Sequence, residues 1–206
     1  HRLRSEKKII ELISRIKPGE IVRGHIHYSE KIEELLKQKK ILMIFIYRDP
    51  RDIVISEANY LYDMNKFHSL HKFFKNKHKL KDRIKLSIEG INSKKIYYEN
   101  VGKRLKPYLG WKLKKNDNVL PLRFEEMKDK QNKTINRLFA FLRKNNFFKK
   151  NISELNFSKV VKASINPKKS HTFRNGITRN WEGKFDSELI EIFNENEGGI
   201  VDLMDY

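Results

Sequence analysis

Seven consecutive residues, Ile41-Leu42-Met43-Ile44-Phe45-Ile46-Tyr47, are apolar without alternation and run straight into Arg48-Asp49-Pro50-Arg51-Asp52. An unbroken apolar run of that length predicts a strand covered on both faces, the pattern of a central strand in a parallel sheet. Pro50 suits the first turn of a helix, and the residues after it carry that helix to about Asp63. Parallel neighbours require crossover connections, so the rest of the chain has to supply helices between strands.

The remaining sequence fits that requirement. Apolar residues at Ile9, Ile10, Leu12, Ile13 and Ile16 mark a helix over Lys7 to Lys17, stopped by Pro18-Gly19. Glu20 to Gly24 is a short β-compatible segment, and Ser29 is positioned to cap a second helix carrying Ile32, Leu35 and Leu36. Lys66 to Leu109 reads as a run of helices, whereas Val119 to Phe124 reads as a second strand despite Pro121. Ile135 to Leu142 is amphipathic at helical spacing, and further helices are expected near Val160 and from Asp186 to Phe193. The alternation implies a three-layer α/β/α domain with a central parallel sheet, in which ligands bind beyond the carboxyl ends of the strands. Arg48 stands at such an end.

Composition removes several classes. The 206 residues contain no cysteine, which excludes disulfide scaffolds and cysteine-ligated zinc. Forty-five Lys and Arg against 26 Asp and Glu leave a net charge of +19, which favours an anionic partner without choosing among nucleic acid, a membrane surface and a small polyphosphate. Lysines are scattered over the chain, Lys37, Lys79, Lys115 and Lys169 among them, rather than gathered into one arm. The longest apolar run is far shorter than the roughly 18–20 residues a membrane span needs. No signal-peptide pattern is visible either, so a cytoplasmic location is expected.

An arginine at a strand end, followed by a helix N-terminus, is an anion site by charge and dipole together. The same residues, Arg48, Asp49, Arg51 and Asp52, are equally able to form a local cluster of ion pairs. Ser56 lies nearly two turns into the helix.

The stretch Arg48-Asp-Pro-Arg-Asp-Ile-Val-Ile-Ser56 resembles the 3′-phosphate-binding strand and helix of sulfotransferases that use 3′-phosphoadenosine 5′-phosphosulfate (PAPS). Three further stretches are similar to that family, in its order. Lys17 to Ile26 resembles the segment ending in Gly-His or Thr-His, here Gly24-His25. Leu122-Arg123-Phe124-Glu125-Glu126-Met127 is similar to its Arg-Tyr-Glu-Asp-Leu segment, and Phe173-Arg174-Asn175-Gly176 with Trp181 looks like its Phe-Arg-Lys-Gly loop and following Trp. The matches reach from about residue 17 to residue 185.

The resemblance implies a P-loop NTPase-like fold, a single domain over 1–206, and transfer of a sulfuryl group from PAPS to a hydroxyl or amine acceptor. Adenosine 3′,5′-bisphosphate (PAP) is then the product. His25 takes the role of general base, which suits an imidazole, a group that is largely neutral at neutral pH. Arg48, Ser56, Arg174, Asn175 and Gly176 are implied for the 3′-phosphate, and Phe124 for the adenine side. Asn175 replaces the family's usual Lys, and Phe124 its usual Tyr. Trp181 is assigned with equal weight to the core and to the cofactor loop. The family's Gly- and Ser-rich phosphosulfate loop with its catalytic Lys has no counterpart in the 24 residues before His25, so the N-terminal strand and that loop are expected to be missing.

No metal is implied. The acceptor is expected to be a small molecule, lipid or carbohydrate, with no nucleic-acid partner and no membrane span. Aromatic residues between Tyr60 and Trp111, including Tyr62, His71, Tyr98 and Tyr108, either line the acceptor pocket or belong to the core. Two other readings remain: a basic nucleic-acid-binding module using stretches such as Lys72-Phe73-Phe74-Lys75, and a nucleotide kinase of related fold. Against the kinase, no Gly-x-x-x-x-Gly-Lys-Ser/Thr loop is present.

Overall fold

In a computed structural model the apolar run becomes a strand, β1, at Met43–Tyr47. The structure describes residues 4–94, 96–148, 150–166, 169 and 176–206. In chain order its elements are α1 (Glu6–Ser14), α2 (Glu30–Gln38), β1, α3 (Pro50–Asn59), α4 (His71–Lys75), α5 (Leu80–Glu89), β2 (Ile91–Asn92) and β3 (Tyr97–Tyr98). There follow α6 (Val101–Leu105), α7 (Gly110–Leu113), β4 (Val119–Arg123), α8 (Phe124–Asp129), α9 (Gln131–Lys144), α10 (Glu154–Ser164), α11 (Ser187–Glu197) and α12 (Ile200–Leu203). Two compact units divide these residues: 1–47 with 107–158, and 48–106 with 159–206.

In the first unit, β1 and β4 pair in parallel, with Met43 opposite Val119 and Tyr47 opposite Arg123. Pro121 sits opposite Phe45 within that ladder. A proline is tolerated there because β4 has one partner among the described residues, so its missing N–H costs no ladder bond on the open side. Met43 and Phe45 pack against a core of Ile13, Ile32, Leu36, Trp111 and Val119 drawn from α1, α2, α7 and β4. Ile44 and Ile46, on the opposite face of β1, are 44% and 52% exposed. The expectation of a strand covered on both faces is therefore corrected. A run of apolar residues specifies a strand but not how many layers lie over it.

The segment 20–24 is corrected as well. It forms no strand, and Ile21 and Val22 are exposed, because two β-branched residues hold an extended conformation only when a partner strand satisfies their backbone. Residues 26–28 are instead pinned by specific bonds. The Trp111 indole N–H donates to the Ile26 carbonyl at 2.8 Å, and the Tyr28 N–H to the Pro107 carbonyl at 2.8 Å. Tyr28 lies edge-on to Trp111, and a Cβ on Gly110 would overlap the Tyr28 ring, so only glycine permits this approach. Ser29 caps α2 as the sequence indicates, accepting from the Ile32 N–H at 3.2 Å.

The second unit is built on α3, α5 and α11. Val54, Ile55, Ala58, Ile84, Ile88, Leu189 and Phe193 are fully buried between them, each large side chain contributing roughly 1.5–3 kcal/mol by leaving water. α3 starts where Pro50 places it, with the Asp49 carboxylate accepting from the Arg51 N–H at 2.8 Å, and passes into a π-helical turn at Tyr60–Met64. The stretch that reads as a run of helices also contains an antiparallel pair, β2 with β3, which two-residue strands give no periodicity to reveal. Where β3 ends, Glu57 of α3 accepts from Ser87, from Tyr98 and from the Arg104 guanidinium, the last at 2.7 Å. Burial and this carboxylate push the Tyr98 phenol far above its ordinary range.

Candidate active site

The sequence-matched residues fall into both units. In the first, His25 is exposed in the irregular segment between α1 and α2, held from its C-terminal side by the bonds to Ile26 and Tyr28. His27, its near neighbour, lies edge-on to Tyr108 with centroids 4.6 Å apart. Phe124 is half-buried at the first residue of α8, directly after β4.

Tyr28 extends the anchorage of this segment into a small polar network. Its hydroxyl donates to Glu33 at 2.6 Å, and Glu33 is also reached by Asn116 at 2.8 Å and Lys37 at 3.0 Å. The hydrogen bond from Tyr28 is the main reason the Glu33 carboxyl titrates below its ordinary range, despite the opposing effect of burial. The same bond is the main reason the Tyr28 phenol is pushed up to about 12. A lowered carboxylate pKa stabilises the fold above the ordinary value of 4.5, and that stability is lost as pH falls through the folded pKa. A raised phenol pKa stabilises below 10, and that contribution is lost as pH rises towards about 12. Tyr28→Phe should lower stability at neutral pH by about 1 kcal/mol and flatten both limbs of the stability–pH curve. Denaturant titrations from pH 3 to pH 11 check this, and unchanged limbs would remove the Tyr28–Glu33 bond as their source.

In the second unit, Arg48 follows β1 directly and turns back on α3. Its guanidinium donates to Asp52 at 3.0 Å and to the carbonyl of Ile177, 129 positions later, at 2.6 Å. Asp52 is buried, and its other oxygen accepts from the Trp181 backbone N–H at 3.0 Å. Arg51 pairs bidentately with Asp49 and lays its guanidinium 3.9 Å over the Trp181 ring. The ion-pair reading of this stretch is met, and the pairs form around two residues of the C-terminal loop, Ile177 and Trp181.

Gly176, beside Ile177, has φ +57, a left-handed conformation in which a side chain would be strained. Ser56 lies four residues beyond Asp52 and is exposed, on the same side of α3 by helical geometry. Arg174 and Asn175 lie outside the described residues. The structure thus brings together Arg48, Gly176 and Trp181, with Ser56 one turn along the helix. From the sequence, Arg51 and Asp52 read only as part of a local ion-pair cluster. The repeated Arg-Asp pair was their visible signal, but nothing in it shows that the partner lies 129 residues away.

Most of the aromatic residues between Tyr60 and Trp111 have structural partners. Tyr62 lies between the cations of Lys75 and Arg83, at 4.2 and 3.8 Å from its centroid. His71 bonds the Leu61 carbonyl at 2.8 Å, Tyr98 belongs to the Glu57 network, and Trp111 is core. Phe74 is also fully buried and so unavailable for stacking on a nucleic-acid base.

A family model described as a sulfotransferase domain matches residues 5–197. Among solved structures, the chain is similar to a mouse sulfotransferase, SULT7A1, complexed with PAP, at 21% identity and TM-score 0.63, covering 94% of this chain and 68% of that one. It is also similar to retinol dehydratase in complex with androsterone and inactive cofactor PAP, at 17% identity and TM-score 0.57, covering 94% of this chain. The chain spans 56% of the length of that second structure. Among curated proteins none matches the sequence. These likenesses show the fold: helix-rich α/β with a parallel sheet, of the P-loop-like kind. No helix among the described residues is long and apolar enough to cross a membrane.

Proposed function

Because the chain belongs to the sulfotransferase domain family, we propose that it transfers a sulfuryl group from PAPS to a hydroxyl or amine acceptor, with His25 as general base. One observation carries this reading. Arg48, at the strand end, and the loop beginning at Gly176, although 129 positions apart at their point of contact, meet through a hydrogen bond from the guanidinium to Ile177. That meeting is what the 3′-phosphate reading requires, and neither a surface ion-pair cluster nor a diffuse basic face demands it.

The residues present suit the nucleotide. Arg48 keeps about a fifth of its side chain exposed, enough for a planar guanidinium to address phosphate oxygens as well as Asp52. Ser56 contributes an exposed hydroxyl donor, and Gly176 a backbone that a ligand can approach closely. Phe124 offers an aromatic face for adenine without the hydroxyl of the family's usual Tyr. Arg174 and Asn175 complete the assignment on the strength of the sequence resemblance.

PAPS supplies the sulfuryl group and a phosphate leaving group. With PAPS bound, the His25 imidazole would take the proton of the acceptor oxygen or nitrogen as that atom bonds to sulfur and the bond from sulfur to the 5′-phosphate oxygen breaks, releasing PAP. The acceptor belongs to the class of small molecules, lipids or carbohydrates. The test is calorimetric titration with PAP against adenosine 5′-monophosphate. Binding of PAP at least ~10-fold tighter, about 1.4 kcal/mol, supports the 3′-phosphate site. Equal affinities, or a steep salt dependence without nucleotide preference, would count against it.

A further inference from the structure

The geometry points to Asp52 as a positioning residue, one that holds Arg48 and the 177–181 loop in a fixed relation and thereby sets the affinity for a nucleotide's 3′-phosphate. The inference rests on the reading proposed above and adds to it a residue that touches no ligand.

A buried carboxylate is costly unless each oxygen is bonded. Asp52 is 1% exposed and spends its two oxygens on two different segments: one on the Arg48 guanidinium at 3.0 Å, the other on the Trp181 N–H at 3.0 Å. The bond from Arg48 to the Ile177 carbonyl closes the circuit, so both ends of the 177–181 loop hang on one guanidinium and one carboxylate. Arg51 then covers the Trp181 ring at 3.9 Å.

The other acids of α3 act differently. Asp49 caps its own helix and pairs with Arg51, which accounts for its burial. Glu57 turns to Ser87, Tyr98 and Arg104. A free arginine side chain has rotamer freedom to lose on binding, and a carboxylate that removes it in advance lowers the cost of binding phosphate.

Asp52→Asn separates positioning from charge. Loss of a negative charge beside Arg48 would by itself tighten anion binding, whereas loss of positioning weakens it. We expect PAP to bind ~10-fold more weakly and adenosine 5′-monophosphate to change less than ~2-fold. In the ligand-free protein, tryptic cleavage at Arg179 and Lys184 should accelerate by about 10-fold, since cleavage follows the population of the open loop. Glu57→Gln serves as the control: it should lower the melting temperature while leaving the ratio of nucleotide affinities and the cleavage rate as in the wild type.

Should Asp52→Asn fail to fold, hydrogen exchange of the Trp181 amide in the unaltered protein provides the second measurement, with protection of at least ~100-fold expected for an N–H held by a buried carboxylate. PAP affinity equal to or tighter than wild type in Asp52→Asn, unchanged cleavage, or an unprotected Trp181 amide would each overturn the assignment. If the wild-type protein shows no preference for PAP, the functional reading fails by itself, and the cleavage and exchange results still judge whether Asp52 holds the loop.

Discussion

Replacing Arg48 by alanine should reduce affinity for PAP by roughly 30- to 150-fold, the equivalent of about 2–3 kcal/mol for a lost charge-assisted contact to phosphate. Affinity for adenosine 5′-monophosphate, which lacks the 3′-phosphate, should fall less than about 3-fold. The change has a second consequence that must be measured with it. Asp52 is almost fully buried and, among the described residues, has Arg48 as its one cationic partner. Stranding such a carboxylate costs about 3–5 kcal/mol of stability.

The variant should therefore also melt at lower temperature, and binding must be compared at a temperature where both proteins are folded. Equal losses for the two nucleotides would show that Arg48 serves the fold and not the 3′-phosphate. A double variant, Arg48→Leu with Asp52→Leu, should recover much of the stability without recovering the nucleotide preference, because removing both charges avoids the stranded one.

His25→Ala should lower the rate of sulfuryl transfer by about 10²- to 10⁴-fold, the range a positioned general base contributes, while leaving PAP affinity within about 2-fold. The expectation of an intact fold follows from where the histidine sits. It is exposed, and the bonds that anchor its segment run through the Ile26 carbonyl and the Tyr28 N–H, neither of which involves the imidazole. Stability should therefore change by no more than about 0.5 kcal/mol, as for other exposed sites.

The assay is turnover of PAPS with an acceptor that the wild-type protein uses. A variant that retains transfer would remove His25 as the base. His27 would then be the first neighbour to test, although its ring is already packed against Tyr108.

Some of these features could be read from the chain alone because their causes are local. Pro50 starts α3 since its ring presets the backbone for a first turn, and Asp49 caps it since its carboxylate reaches an N–H two residues on. Ser29 caps α2 for the same reason. The amphipathic spacing of Ile135 to Leu142 reports a helix because burying one face requires a period near 3.6. The chain also carried the four matched stretches in the family's order, and the family match over residues 5–197 agrees with them.

What the sequence could not contain is the list of distant partners. The apolar run at 41–47 specified a strand, but only the tertiary structure showed one face packed on Trp111 and its neighbours and the other exposed. Residues 20–24 have β propensity and, among the described residues, no partner strand, and propensity does not survive the lack of one. Arg48 and Asp52 read from the chain as partners of each other, and only the fold showed their further bonds to Ile177 and Trp181. The physical reason is common to all three. Helix caps and turns are settled by bonds spanning two to four residues, whereas burial and the bonds of Arg48 and Asp52 depend on groups brought together from tens of positions away to 129.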